Sequence, residues 1–150
     1  MKSAKASEQD DGFTLIEIII TLAMIAFLVG LSVPFTMDFY RQYRLDGEQT
    51  ILVSILRSAR ARSLTSQGGA SHGIHVASSQ FTLFEGSSYA ARNEALDEIF
   101  DRSSAVSISA PAELVFSRIT GLTASVSFTL NDAIQQKKIY VNTEGTIDYE

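Results

Sequence analysis

The feature that most constrains this chain is a run without charge. From Ile18 to Met37, 20 consecutive residues include no Asp, Glu, Lys or Arg. As an α-helix such a run spans about 30 Å, the thickness of a bilayer's hydrocarbon core. It lifts the mean hydropathy to +0.11, although the hydrophobic content of 45% is ordinary for a globular chain. A cleaved secretory signal fits badly, because its apolar core is only roughly 7–15 residues long and its start is basic. Here the stretch before the run sets Lys2 and Lys5 against Glu8, Asp10 and Asp11. A plain signal anchor is the simplest alternative. Charge leaves the orientation open, because Lys2 and Lys5 on one side are balanced by Arg41 and Arg44 on the other.

The remaining composition narrows the field. A length of 150 residues suits one ordinary domain. The absence of cysteine rules out disulfides and thiolate metal sites and leaves the redox compartment open. A formal net charge of −5 lacks the basic footprint expected of a nucleic-acid binder.

Glu17 lies near the start of the apolar sequence, where a carboxylate in hydrocarbon is costly and normally has a partner. Nothing cationic is within reach on its own helix. Two readings stand. Glu17 snorkels to water from an interfacial position, or it pairs with a free α-amino group created by a cut just before Phe13.

Gly12-Phe13-Thr14-Leu15-Ile16-Glu17 resembles the processing motif of type IV pilins and type II secretion pseudopilins. The resemblance implies that a prepilin peptidase cuts after Gly12 on the cytoplasmic side and N-methylates Phe13. It also implies that Thr14 and Glu17 serve assembly, with Glu17 pairing with the terminal amine of an adjacent subunit. Pro34, the twenty-second residue from Phe13, falls where this family has a helix-kinking proline. Proline removes a backbone N–H and clashes one turn back, so a bend at Pro34 or a helix end at the membrane surface is expected. Loss of residues 1–12 would remove two Lys and three acids, taking the formal charge from −5 to −4.

Beyond Pro34, Leu45, Leu52, Ile55, Leu56 and Ala59 recur at helical spacing. They predict one helix from about 13 to 65, ended by Gln67-Gly68-Gly69. Arg57, Arg60 and Arg62 in its last turns suit the negative end of a helix dipole better than a DNA patch. From Gly73 the period becomes 2, with Ile74/Val76, Phe81/Leu83, Val106/Ile108, Leu114/Phe116, Val126/Phe128/Leu130, Ile139/Val141 and Ile147/Tyr149. These predict about seven short antiparallel strands with one face buried on the helix. Residues 89–102, with Leu96, Ile99 and Phe100 and with Glu98 four before Arg102, predict a short helix or ordered loop.

The expected fold is therefore α+β and pilin-like. It comprises a leader at 1–12, a transmembrane or filament-core helix at 13–35, an amphipathic helical half at 36–66 and an antiparallel β domain at 70–150. The C-terminal half resembles the H-type minor pseudopilins and FimT-like minor pilins. The matching pieces are His72-Gly-Ile-His-Val, Phe81-Thr-Leu-Phe-Glu-Gly86, Leu114-Val-Phe-Ser-Arg-Ile-Thr-Gly121 and Lys138-Ile-Tyr-Val-Asn-Thr-Glu-Gly-Thr-Ile147. The resemblance implies a minor pseudopilin of type II secretion in the inner membrane, with its β domain in the periplasm. Implied partners are other pseudopilin subunits in a hetero-oligomeric filament, the prepilin peptidase and the inner-membrane assembly platform. The alternatives are a minor pilin of a type IV pilus and a FimT-like DNA receptor, the latter disfavoured by the acidic ending Thr-Ile-Asp-Tyr-Glu150.

No enzyme, cofactor or metal site is expected. His72 and His75, three apart on a strand, face opposite ways, with His72 expected in a turn and His75 on the sheet surface. Glu94, Asp97, Glu98 and Asp101 lack a glycine-spaced calcium loop. No nucleophile elbow or phosphate-binding loop occurs.

Overall fold

The computed structural model describes residues 12–132 and 135–150, with the backbone alone for 32–38. The leader expected at 1–12 therefore lies outside the described residues except for Gly12. One α-helix, α1, runs over Leu15–Leu64, against the expected 13 to 65. Pro34 falls within α1, and the bend expected there falls on residues whose side chains are not described. The chain divides into two compact units, Met1–Phe39 and Tyr40–Glu150.

In the first unit, the described helical residues are apolar on every face and exposed on every face. Among the described residues, no helix is long and apolar enough to cross a membrane. The uncharged run identified in the sequence continues from Ser32 to Met37.

The second unit is α+β, with eight strands among the described residues. Sheet order β3-β2-β1-β5 is built from β1 His72–Val76, β2 Gln80–Glu85, β3 Glu98–Asp101 and β5 Glu113–Phe116. Order β4-β6-β7-β8 is built from β4 Ser107–Ser109, β6 Val126–Asn131, β7 Gln136–Val141 and β8 Ile147–Tyr149. Every pairing is antiparallel.

The helical stripe explains the packing. Leu45, Leu52, Ile55, Leu56 and Ala59 are buried in one cluster with Ile74, Phe81, Leu83, Leu114 and Phe116 of the first sheet. Phe128, Leu130, Ile139 and Val141 of the second sheet join the same cluster. One helix face thus fills the space between two inward sheet faces, and removing that apolar area from water is the main stabilising term.

In β2 the strand alternation breaks down, since Phe81, Thr82, Leu83 and Phe84 are all buried. Phe81 and Leu83 point into the core, while Phe84 meets Tyr89 edge-on at 5.7 Å between ring centroids. The loop between β2 and β3 therefore covers the outer face. Gly73, paired with Phe84, makes room there: a Cβ would come within 2.6 Å of the Phe84 ring and 2.7 Å of the Leu114 carbonyl.

Of the two forms expected at 89–102, a short helix or an ordered loop, the structure shows no α-helix there. The segment forms two 3₁₀ turns, Tyr89–Ala91 and Glu94–Leu96, and then strand β3. The expected Glu98–Arg102 partnership is replaced by tertiary ones. Arg102 donates to the Ala77 carbonyl at 2.8 Å and to the Val106 carbonyl at 2.5 Å, and Glu98 pairs with Arg62 at 2.8 Å.

Candidate functional site

The segment Gly12–Glu17 opens the helix. Thr14 is its cap: the Thr14 carbonyl accepts from the N–H of Glu17 at 3.1 Å and of Ile18 at 3.3 Å. The Thr14 hydroxyl also accepts from the Glu17 N–H at 3.3 Å. Threonine followed three residues later by glutamate is the capping-box pattern, so the sequence itself starts the helix at this point. That local role of Thr14 escaped the sequence reading, although the Thr-x-x-Glu spacing signals it. Glu17 also sits in the first turn, where the helix dipole favours a negative charge.

Glu17 is exposed, and no ion pair engages its carboxylate among the described residues. Phe13 is 80% exposed and Leu15 78%. Ile16, Ile19, Ile20, Leu22, Ile25 and Leu28 are exposed as well, on all sides of the helix. The Thr21 hydroxyl donates to the Ile18 carbonyl at 2.9 Å and so presents no unmet polar group. A helix that is apolar all round is stable only when surrounded by lipid or by other apolar helices. The segment therefore combines a free carboxylate, a capped start and a fully apolar flank.

The other residues singled out in the sequence are spent within the fold. Arg62 binds Glu98, holding that carboxyl below its ordinary range. Arg60 donates to the Glu144 carbonyl at 3.0 Å, and Arg57 lies 5.7 Å from the centre of the Tyr149 ring. These arginines reach from the helix to the strands and turns packed on it. Arg92 takes Asp97 at 2.7 Å and Glu94 at 3.2 Å. The hydrogen bond that Arg92 donates to the Asp97 carboxylate pushes the Arg92 pKa up. Two of the four candidate calcium acids thereby share the charge of Arg92, and a third, Glu98, pairs with Arg62. Asp101 stands exposed on β3.

The two histidines do lie on opposite faces of β1. His75 stacks on Tyr89, with ring centroids 3.8 Å apart. His72 is not in a turn. It begins β1 and is buried, 3.6 Å from Glu85 on the neighbouring strand. Burial lowers its pKa against the opposing pull of Glu85, and Arg62 lowers it further. Among the described residues no group of three or more His, Asp or Glu is arranged to hold a metal ion.

No curated protein and no solved structure matches the chain. Residues 9–33 match the family described as the prokaryotic N-terminal methylation motif. That match spans Gly12, Phe13, Thr14 and Glu17 and the apolar helix behind them. The chain thus carries the N-terminal motif of prokaryotic prepilin-like proteins, a motif that implies processing by a prepilin peptidase.

Proposed function

We propose that this chain is a minor pseudopilin, a non-enzymatic subunit of the type II secretion pseudopilus. The observation that carries the proposal is the methylation motif at the head of a helix whose described apolar residues from Leu15 to Leu31 lie exposed. Prepilin peptidase cuts after Gly12 and methylates Phe13. The uncharged run from Ile18 to Met37 anchors the precursor as a single span of the inner membrane, with the β domain on the periplasmic side. Assembly then exchanges lipid for the equivalent helices of other pseudopilins on the inner-membrane platform.

Glu17 sets the register in that step. A carboxylate and a terminal amine attract strongly at low dielectric, whereas either one buried alone suffers a heavy desolvation penalty. One axial offset between neighbours satisfies both groups. The absence of cysteine, and with it of a disulfide-closed loop, supports a minor rather than a major subunit.

Mass spectrometry of the protein isolated from its native membrane tests the proposal. A mature chain beginning at methylated Phe13 is expected. A product still beginning at Met1 overturns it.

A further inference from the structure

The first two turns of the second unit carry, side by side, exposed tyrosines and arginines that form no ion pair among the described residues. At 3.6 residues per turn, Tyr43, Tyr40, Arg44 and Arg41 share an arc of about 160° on α1. Tyr40 and Tyr43 are 59% and 70% exposed. The Arg44 guanidinium lies 5.4 Å from the centre of the Tyr40 ring, and its buried Nε–H lacks an acceptor among the described residues. No carboxylate among the described residues pairs with Arg41 or Arg44. The nearby acid Asp46 is already taken by Lys137 at 3.0 Å. This contrasts with Arg60, Arg62, Arg92 and Arg102, each of which makes a hydrogen bond or ion pair within the fold.

We infer that Tyr40, Arg41, Tyr43 and Arg44 form a collar that binds the headgroups of anionic phospholipid. The inference rests on the proposal that the preceding sequence is membrane-anchored. Three observations select this occupant. Only two residues, Asp38 and Phe39, separate Tyr40, the first of the cluster, from Met37, the last residue of the uncharged run. Tyrosine, with an apolar ring and a polar tip, concentrates at the boundary between hydrocarbon and water. The guanidinium presents a planar fork of donors that fits a phosphate oxygen pair, and it is weakly hydrated enough to work at that boundary. A soluble phosphate would use the arginines but leave the exposed tyrosine rings without a role.

The full-length chain, reconstituted in phosphatidylcholine vesicles with trace spin-labelled lipid, tests the collar. Labelled phosphatidylglycerol should be held at the protein in preference to labelled phosphatidylcholine, by about five-fold for each arginine engaged. The preference should fall to parity in the Arg41→Gln/Arg44→Gln double variant and persist in Arg57→Gln. Parity in the unmodified chain overturns the collar, as does a preference unchanged in the double variant. Abolition of the preference by equimolar inorganic phosphate assigns the site to free phosphate and also overturns it. Because the chain has no cysteine, a nitroxide on Ala26→Cys reports insertion separately. A label outside the hydrocarbon overturns the anchoring and the collar together. A deep label with lipid parity overturns the collar alone.

Discussion

The hydroxyl of Ser63, near the end of α1, accepts the backbone N–H of His72 at 2.9 Å. The same hydroxyl donates to the carbonyl of Phe116 at 3.0 Å. Ser63 is completely buried, so one small side chain joins the helix to β1 and to β5 where no water can substitute. The Ser63 carbonyl in turn accepts from the N–H of Ile119 at 2.8 Å, fixing the loop that follows β5.

Replacing Ser63 with alanine should strand a buried donor and a buried acceptor. Each stranded group costs about 1–3 kcal/mol. Ser63→Ala should therefore lower the unfolding free energy of the β domain by an amount in that range or above, read as a lower urea midpoint with little change in slope. An unchanged midpoint would mean that the two backbone groups find other partners.

The ion pair one residue earlier should matter less. Arg62 and Glu98 are bonded at 2.8 Å, but their side chains are 27% and 47% exposed. Pairs so open to solvent contribute less than about 1 kcal/mol, and salt screens them. Arg62→Ala should be milder than Ser63→Ala, and its effect should shrink further in molar salt. An Arg62→Ala loss that equals the Ser63→Ala loss and is indifferent to salt would refute this ordering.

These two neighbours show what the sequence conveys and what it hides. The apolar stripe Leu45, Leu52, Ile55, Leu56 and Ala59 is legible because one residue class recurs at helical spacing, and all five are buried. Glu48, Gln49 and Ser63 share the buried face but are polar, so a hydrophobic period passes over them. Their partners are backbone groups remote in sequence: the Ser103 N–H for Glu48, the Glu150 carbonyl for Gln49 and the Phe116 carbonyl for Ser63. Strand β3 is hidden for another reason. Ile99 is exposed and only Phe100 is half-buried, so no alternation marks it, and the local Glu98–Arg102 spacing imitates a helix. At the N-terminus the Thr14–Glu17 bond is local and its Thr-x-x-Glu spacing stands in the sequence, but the apolar run behind it and the charge of Glu17 overshadow it.

Acid should weaken the fold through His72. Its pKa lies below the ordinary 6.5, chiefly because burial disfavours the charged ring. Glu85 from β2 faces it and pulls the other way, while Arg62 from α1 reinforces the lowering. The unfolded chain therefore binds the proton more readily than the folded one. Stability is full above pH 6.5 and declines as the pH falls through 6.5 toward the lower folded value. His72→Gln should flatten that limb of the profile. A thermal midpoint that stays constant between about pH 7.5 and 5.5 in the unmodified chain would contradict this linkage.

Gly73→Ala should act on packing rather than charge. The added Cβ would meet the Leu114 carbonyl of β5 at 2.7 Å, and a backbone atom held in a sheet ladder cannot move aside as a side chain can. Forcing a methyl into packed space costs about 1–3 kcal/mol. The expected result is a lower thermal midpoint together with faster hydrogen exchange in β1 and β5.

Glu17 separates folding from assembly. Its carboxylate is exposed and makes no ion pair among the described residues, so Glu17→Leu removes no contact on which the β domain depends. The substitution forfeits only a favourable charge in the first helical turn, about 0.3–1 kcal/mol when exposed. The cap from the Thr14 hydroxyl uses the backbone N–H of residue 17 and survives the change. Thermal unfolding of the β domain should therefore match the unmodified chain, and cleavage after Gly12 should continue. Incorporation into filaments should fail, because the terminal amine of a neighbour would be buried without its counter-charge, a loss of several kcal/mol at each contact. Immunoblotting of sheared or crosslinked filament fractions reads this directly. Normal incorporation of the leucine variant would show that the carboxylate does no more than favour the start of the helix.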